Sequence, residues 1–254
     1  MCTLTWWQGD MGRYEVFFNR DELKDRESAS PPRVEVAKGV RFLAPIDGRA
    51  GGTWLLANEK GITIALLNAY EAGKKTVFLP EWGSRGSLVM SLADAGSLGE
   101  LEERMGRVEA SGYPPFQLVG FGLSEGGALR AASWLGGGKG EIVPVAAAMP
   151  VCSSSFDTEA VIGGRARRLR EILSESTDGG EGDKLWAYHH GWRADGTIEP
   201  PNLRSVRMNR PDSQTWSISR ITVDSEKVRF VYEAERPDLG GPAERHEAAL
   251  SRTE

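Results

Sequence analysis

Short β-rich runs parted by turn residues fill the first seventy positions, and this alternation restricts the fold more than any other feature of the chain. Residues 3–7 and 14–19 flank Gln8-Gly9-Asp10-Met11-Gly12, a spacing that predicts a hairpin. Residues 53–57 and 62–68 flank Asn58-Glu59-Lys60-Gly61, where the glycine supplies the positive φ of a hairpin bulge. Both of these later runs are almost continuously apolar, as expected of core strands. A succession of hairpins argues against the βαβ units of a parallel sheet.

The rest of the chain alternates helical and strand-like segments. Residues 20–35 are charged and hold Pro31-Pro32, so a surface loop is expected there. Leu88 and Leu92, then Leu98, Leu101 and Met105, give 84–95 and 98–108 a helical composition. Residues 116–123, 128–135 and 141–147 read as strands punctuated by Gly126-Gly127 and Gly136-Gly137-Gly138. The clearest helix is 161–173, with Ile162, Ala166, Leu169 and Leu173 on one face. Arg165, Arg167, Arg168 and Arg170 then fall on its solvated side, and Ser154, Ser155 and Thr158 offer caps. Residues 175–185 read as a loop, and 216–223 and 228–233 form a closing hairpin around Asp224-Ser225-Glu226-Lys227. No internal repeat or low-complexity linker divides the chain. A single domain over 1–235 is expected, followed by a polar, frayed tail over 236–254.

Composition removes several function classes. With 31 basic and 36 acidic side chains the net charge is −5 and the isoelectric point about 5.5, which lacks the basic footprint of a nucleic-acid binder. No apolar run approaches the roughly 20 residues that span a bilayer. Eight Trp, eight Phe and five Tyr offer more burial than a disordered chain would carry. The opening Met1-Cys2-Thr3-Leu4-Thr5-Trp6-Trp7 has no positive n-region, and Asp10 arrives too early for a signal-peptide core. A cytoplasmic location is therefore expected, with Cys2 and Cys152 as thiols.

Cys2 is the most informative single residue. Aminopeptidases remove Met1 when the next residue is as small as cysteine, and the product carries a thiol and a free α-amine on one residue. The thiol has an ordinary pKa of about 8.5 and the amine about 7.7–8.0. Such an amine can take the thiol proton directly or through a water, so nucleophile and base come together. Asn19-Arg20-Asp21-Glu22 follows the second strand as a polar cluster. Arg20 could lower a thiol pKa or hold a substrate carboxylate, and Asp21 could fix the amine. Asn68 closes the apolar run 62–67, where its amide could serve an oxyanion hole.

Met1-Cys2-Thr3-Leu4-Thr5, Phe17-Phe18-Asn19-Arg20-Asp21-Glu22, Leu43-Ala44-Pro45-Ile46-Asp47 and Gly51-Gly52-Thr53-Trp54 together resemble the NRDE proteins, also called the transport and Golgi organisation protein 2 family. The resemblance is firm over 2–70 and diffuse to about 235. That family in turn resembles the N-terminal nucleophile (Ntn) hydrolases, especially the choloylglycine hydrolase and penicillin V acylase group. The resemblance implies an α+β fold, a four-layer αββα sandwich with two packed, mainly antiparallel sheets. It implies Cys2 as nucleophile, Arg20 and Asp21 beside it, and Asn68 as oxyanion donor. Asn19, Trp54 and Arg220 are substrate-binding candidates, Arg220 as a rough match to a late arginine of the hydrolases. Two departures stand out. The hydrolases' Arg-x-x-Asp spacing is replaced by adjacent residues, and no Asn occupies 153–155, where their second active-site Asn would fall.

Other signals compete. Gly122-Leu123-Ser124-Glu125-Gly126 satisfies a nucleophile-elbow pattern that would use His189, His190 or His246 as base, but no His-Gly-Gly motif precedes it. His189-His190, read as part of a strand beside Trp186, Tyr188 and Trp192, could meet a metal or heme, and some eukaryotic NRDE relatives have been linked to heme trafficking. Adjacent strand residues point to opposite faces, however, and no Cys or acidic partner lies at ligand spacing. The favoured reading is an Ntn-type hydrolase or acyltransferase acting on a small linear amide or thioester, with no metal and no cofactor required. The alternative is a non-catalytic carrier of heme or another apolar ligand on the same fold.

Overall fold

A computed structural model describes residues 1–10, 12–70, 79–138, 140–175, 179–193, 197–235 and 243–253. The strands are β1 (Cys2–Gln8), β2 (Tyr14–Leu23), β3 (Ser30–Ala37), β4 (Val40–Ile46), β5 (Leu55–Asn58), β6 (Thr63–Asn68), β7 (Phe116–Leu123), β8 (Leu129–Gly137), β9 (Gly140–Val145), β10 (Val151–Ser153), β11 (Ser213–Val223), β12 (Lys227–Ala234) and β13 (Glu244–Ser251). The α-helices are α1 (Arg85–Ser91), α2 (Leu98–Met105), α3 (Thr158–Ser174) and α4 (Glu181–His190). Two antiparallel sheets result, ordered β10-β1-β2-β11-β12-β13 and β3-β4-β5-β6-β7-β8-β9. No helix among the described residues is long and apolar enough to cross a membrane.

Alternation along the central strands builds the four layers. In β6, Ala65 and Leu67 enter the core between the sheets while Ile64 and Leu66 pack under α1 and α2. In β7, Val119 and Phe121 face the other sheet and Phe116 and Leu118 face the helices. Strands covered on both sides lose the polar face of an ordinary antiparallel strand, which is why these runs read as continuously apolar. Gly120 makes room for α2: a β-carbon there would stand 2.4 Å from a methyl of Leu101. On the outer side of the other sheet, Phe17 packs with Leu169, Ile172, Leu185 and Tyr188 of α3 and α4.

The Asn58 amide ties the β5–β6 hairpin to the helical layer. Its Nδ2 donates to the carbonyls of Ala93 and Ala95, and its Oδ1 accepts from the N–H groups of Lys60 and Ile62. This buried amide therefore uses its whole donor and acceptor capacity. Ser84 and Ser97 cap α1 and α2 by accepting from the N–H groups of Gly86 and Glu100.

Five expectations are corrected, one of them at 175–185, where the expected loop gives way to α4 from Glu181. Residues 20–35 are not a loop throughout: β2 runs to Leu23 and β3 begins at Ser30. Pro31-Pro32 are tolerated because β3 is an edge strand and its register shifts between Ser30 and Arg33. The C-terminal segment is not frayed over 244–251, where β13 pairs with β12 from Lys227↔Ser251 to Ala234↔Glu244 and buries Leu250; residues 236–242 lie outside the described residues. His189 and His190 occupy the last turn of α4, not a strand, and Gly191 ends that helix with φ +73°. Arg165 is buried rather than solvated, because the inward stripe of α3 is Val161, Arg165, Leu169 and Ile172.

Candidate functional site

Cys2 opens β1 in the six-stranded sheet, directly opposite Arg20 of β2 and Ser153 of β10. Opposed residues of paired strands share a face, so these three side chains point toward the core between the sheets. Leu4, Val16 and Phe18 continue that face. Thr3, Asn19 and Asp21 alternate to the other face, under α3 and α4. The polar cluster foreseen at the end of β2 is thus split between two layers.

On the inner face, Cys2 is 7% exposed. Burial pushes its thiol up to about 11; the Met1 amine, the Asp21 N–H and Arg20 pull the other way, and the Asp21 carboxylate reinforces the rise. Arg20 does not aim its charge at the thiol alone. Its Nη2 donates to Asp47 Oδ2 at 2.5 Å, and its guanidinium lies 4.2 Å above the Trp54 ring. Asp47 also accepts from Arg26 and from the N–H groups of Arg49 and Ala50. Burial opposes its ionisation, but Arg26, the Ala50 N–H and Arg20 hold the carboxyl below its usual range. Trp54 keeps a buried Nε1 with no hydrogen-bond partner among the described residues, as does the hydroxyl of Ser153.

Met1, next to this face in the chain, is itself buried. It pairs with Asp21 as the next rung of the β1–β2 ladder: its amine donates to the Asp21 carbonyl, and its carbonyl accepts the Asp21 N–H, both at 2.8 Å. Burial opposes the charge on that amine, yet Tyr70, Cys2, Asp21 and Glu22 keep its pKa raised. Asp21 therefore holds the amine by its backbone. Its carboxylate is committed on the other face, where Oδ1 accepts from Thr215 at 2.7 Å and Oδ2 from Arg165 at 3.3 Å. A bulge between Thr215 and Ser217 of β11 lies beside this pair, a common device for re-aiming side chains near a site.

Arg165, expected on the solvated face of its helix, is one residue that joins this site unforeseen. It is 1% exposed, donates to Thr3 Oγ1 at 2.5 Å and to the Ser205 carbonyl at 2.8 Å, and anchors α3 beneath Asp21. Tyr70 is a second: its hydroxyl accepts from Asn68 Nδ2 at 2.7 Å and contributes to the field at Met1, Arg85 and Arg210. Arg210, just before β11, meets the Met1 side chain. No motif flagged these residues; Arg165 alone had a sequence signal, its spacing of four from both Val161 and Leu169.

Other candidates lie apart. Asn19 is fully buried, its Nδ2 donating to the carbonyls of His189 and Val206 and its Oδ1 meeting His189 Nδ1. Arg220 pairs with Glu15 at 2.8 Å and stacks over Phe17. Ser124 lies in the β7–β8 turn, closed by its hydrogen bonds with Ala128 and Gly127, so strand–turn–helix elbow geometry is not formed. His189 meets Thr5 and Asn19, and His190 meets Trp186 and Glu233, so all four ring nitrogens are engaged.

Two solved structures share this architecture at low identity. The Caenorhabditis elegans ortholog of N-acylethanolamine-hydrolyzing acid amidase is 9% identical, with a TM-score of 0.55 over 87% of this chain and 92% of its own. A variant of the conjugated bile acid hydrolase from Clostridium perfringens is 14% identical, with a TM-score of 0.51 over 98% of this chain and 92% of its own. At such identities the likeness shows the fold, the αββα sandwich of Ntn hydrolases. No curated protein matches the sequence at a significant level. Residues 1–227 do match the family described as Transport and Golgi organisation 2, and the chain belongs to that family.

Proposed function

We propose that the protein is a cysteine Ntn acyl-transfer enzyme, a hydrolase or acyltransferase for a linear amide or thioester, made competent by cleavage of the Met1–Cys2 bond. The observation that carries this reading is the pairing of Met1 with Asp21 at the strand end that presents Cys2. Cleavage there leaves an α-amine on the residue that holds the thiol, with the Asp21 carbonyl nearby to orient it. The fold is shared with structures named as an amidase and a hydrolase, which supports the same class of chemistry.

The steps balance as follows. The Cys2 amine takes the Sγ proton, directly or through a water, and the thiolate attacks the substrate carbonyl to form a C–S bond. Asn68 Nδ2 and a backbone N–H stabilise the oxyanion. Collapse breaks the bond to the leaving nitrogen or sulfur, which receives the proton from the Cys2 ammonium. Water, or an acceptor nucleophile, then attacks the Cys2 thioester with the amine again as base, and the thiol is restored.

Intact mass after incubation with a simple thioester, S-acetyl-N-acetylcysteamine, tests this reading. A Cys2-first protein should gain one acetyl group at Cys2 and lose it with time, and Cys2→Ala should gain none. A Cys2-first protein that stays unmodified, or a Cys2→Ala protein acylated as fast as the parent, would remove Cys2 from the chemistry.

A further inference from the structure

Met1 occupies a pocket whose polar groups suit an anion better than a methionine. Its Sδ accepts from Arg210 Nη1 at 2.7 Å and lies 3.4 Å from Ser154 Oγ, whose proton goes to the Phe156 carbonyl at 2.6 Å. A thioether sulfur is only a weak acceptor, so it is a poor match for a guanidinium. Arg210 is 6% exposed. Its Nε donates to the Leu203 carbonyl at 2.8 Å, its Nη2 reaches Ser154 Oγ at 3.5 Å, and its plane lies 4.9 Å from the Phe156 ring centroid. Among the described residues no carboxylate forms an ion pair with it, whereas buried charges are as a rule paired. Burial, and then Arg165, pull the Arg210 pKa below its ordinary value; Asp21, Asp212 and Tyr70 oppose this without reversing it.

We propose that loss of Met1 uncovers an anion subsite in which Arg210, steadied by Ser154, binds a substrate carboxylate. That carboxylate stands about one methionine side chain away from the carbonyl attacked by Cys2. The inference rests on the reading of Cys2 as nucleophile. The path is traced by Met1 itself, whose carbonyl adjoins Cys2 on the Asp21 N–H and whose side chain ends at Arg210. After cleavage the Asp21 N–H and the Arg210 guanidinium both lose their Met1 acceptors, and a short ω-carboxy amide or thioester replaces both at once. Phe156 supplies an apolar wall beside the carboxylate, where a charge-assisted hydrogen bond gains strength.

Calorimetry with two small amides tests this. Glutaramate carries an amide and a carboxylate, and butyramide is its uncharged counterpart of similar length. In a Cys2→Ala protein lacking Met1, which cannot consume either probe, glutaramate should bind about ten-fold or more tightly than butyramide. Arg210→Met should erase that preference, Arg210→Lys should keep part of it, and retained Met1 should block glutaramate. Matching melting curves for the variants exclude unfolding as the cause. Equal binding of the two amides, or a preference that survives Arg210→Met, overturns the subsite. The nucleophile is read separately: an acetyl adduct at Cys2 without the preference removes the subsite alone, and a preference without the adduct removes the nucleophile alone.

Discussion

Cys2 and Arg20 stand opposite each other on β1 and β2, yet the Arg20 guanidinium is held by Asp47 at 2.5 Å and flattened against Trp54. An arginine so paired gives its charge mainly to a carboxylate, and what remains for the thiol is outweighed by burial. The arrangement keeps Cys2 protonated while Met1 precedes it. It also places a fixed cation beside the proposed nucleophile, held by a carboxylate and an aromatic ring.

Retained Met1 should therefore mean a sluggish thiol. With its pKa near 11, Cys2 should react with iodoacetamide at a rate rising about ten-fold per pH unit from pH 7 to 10. No plateau should appear near the ordinary thiol value. In the unfolded chain the thiol ionises near 8.5, so the unfolded state binds fewer protons between about 8.5 and 11 and stability falls as pH rises there. Once Cys2 is first in the chain its amine becomes the base, and at pH 7.5 it should outpace Cys152, whose thiol burial also pushes up. Peptide-level mass spectrometry separates the two cysteines; equal rates after Met1 removal would contradict the amine's role.

Asp21 and Arg165 form an ion pair with almost no exposure, and removing one partner should leave the other buried and unpaired. Arg165→Met should cost about 3–5 kcal/mol in urea unfolding. The double variant Asp21→Asn/Arg165→Met should recover a good part of the loss. A single-variant change under about 1 kcal/mol would mean that water reaches the pair.

Much of this was legible in the sequence, and the failures have physical causes. The hairpins at 3–19 and 53–68 were readable because turn residues punctuate apolar runs, and β7 matched its expected bounds of 116–123. The family motif led to Cys2, and the geometry of β2 follows from plain alternation once β1 is paired with it. Arg165 was misplaced because hydrophobic periodicity ranks a guanidinium as polar. A stripe read as 162, 166, 169 and 173 concealed the true one, which sacrifices an apolar position to bind Asp21. Arg210 and Tyr70 were invisible for another reason. They lie outside strands and helices; no pattern marks that Arg210 reaches the distant Met1, or that the Tyr70 hydroxyl turns back to Asn68 two residues before it.

His189 gives a prediction that needs no substrate. It is fully buried, and burial, with His190 and then Arg165, holds its pKa well below the ordinary 6.5. The native imidazole stays neutral while the unfolded one gains a proton as pH drops. Stability should therefore fall with decreasing pH from about 6.5 downward. His189→Gln, which keeps polar contacts to Thr5 and Asn19, should flatten that acid limb. An NMR titration should find the His189 ring unprotonated at pH 5.5; a midpoint above 6 would contradict its burial.

Asn68 closes β6 with its amide on the Tyr70 hydroxyl, and the proposed reaction asks that amide to donate to a developing oxyanion. Loss of one such donor usually costs about 10²–10³ in rate. Asn68→Ala should lower turnover of an acetyl thioester by about that factor, with a smaller change in KM, because the interaction strengthens only as charge builds. Asn68→Asp should be worse, since a carboxylate repels the oxyanion. Tyr70→Phe should cost less, because the donor survives and only its resting partner is gone. Asn68 is partly exposed at a strand end, so Asn68→Ala should move the melting temperature little. Undiminished turnover combined with a lowered melting temperature would make Asn68 a strand cap and leave the Cys2 chemistry without its oxyanion donor.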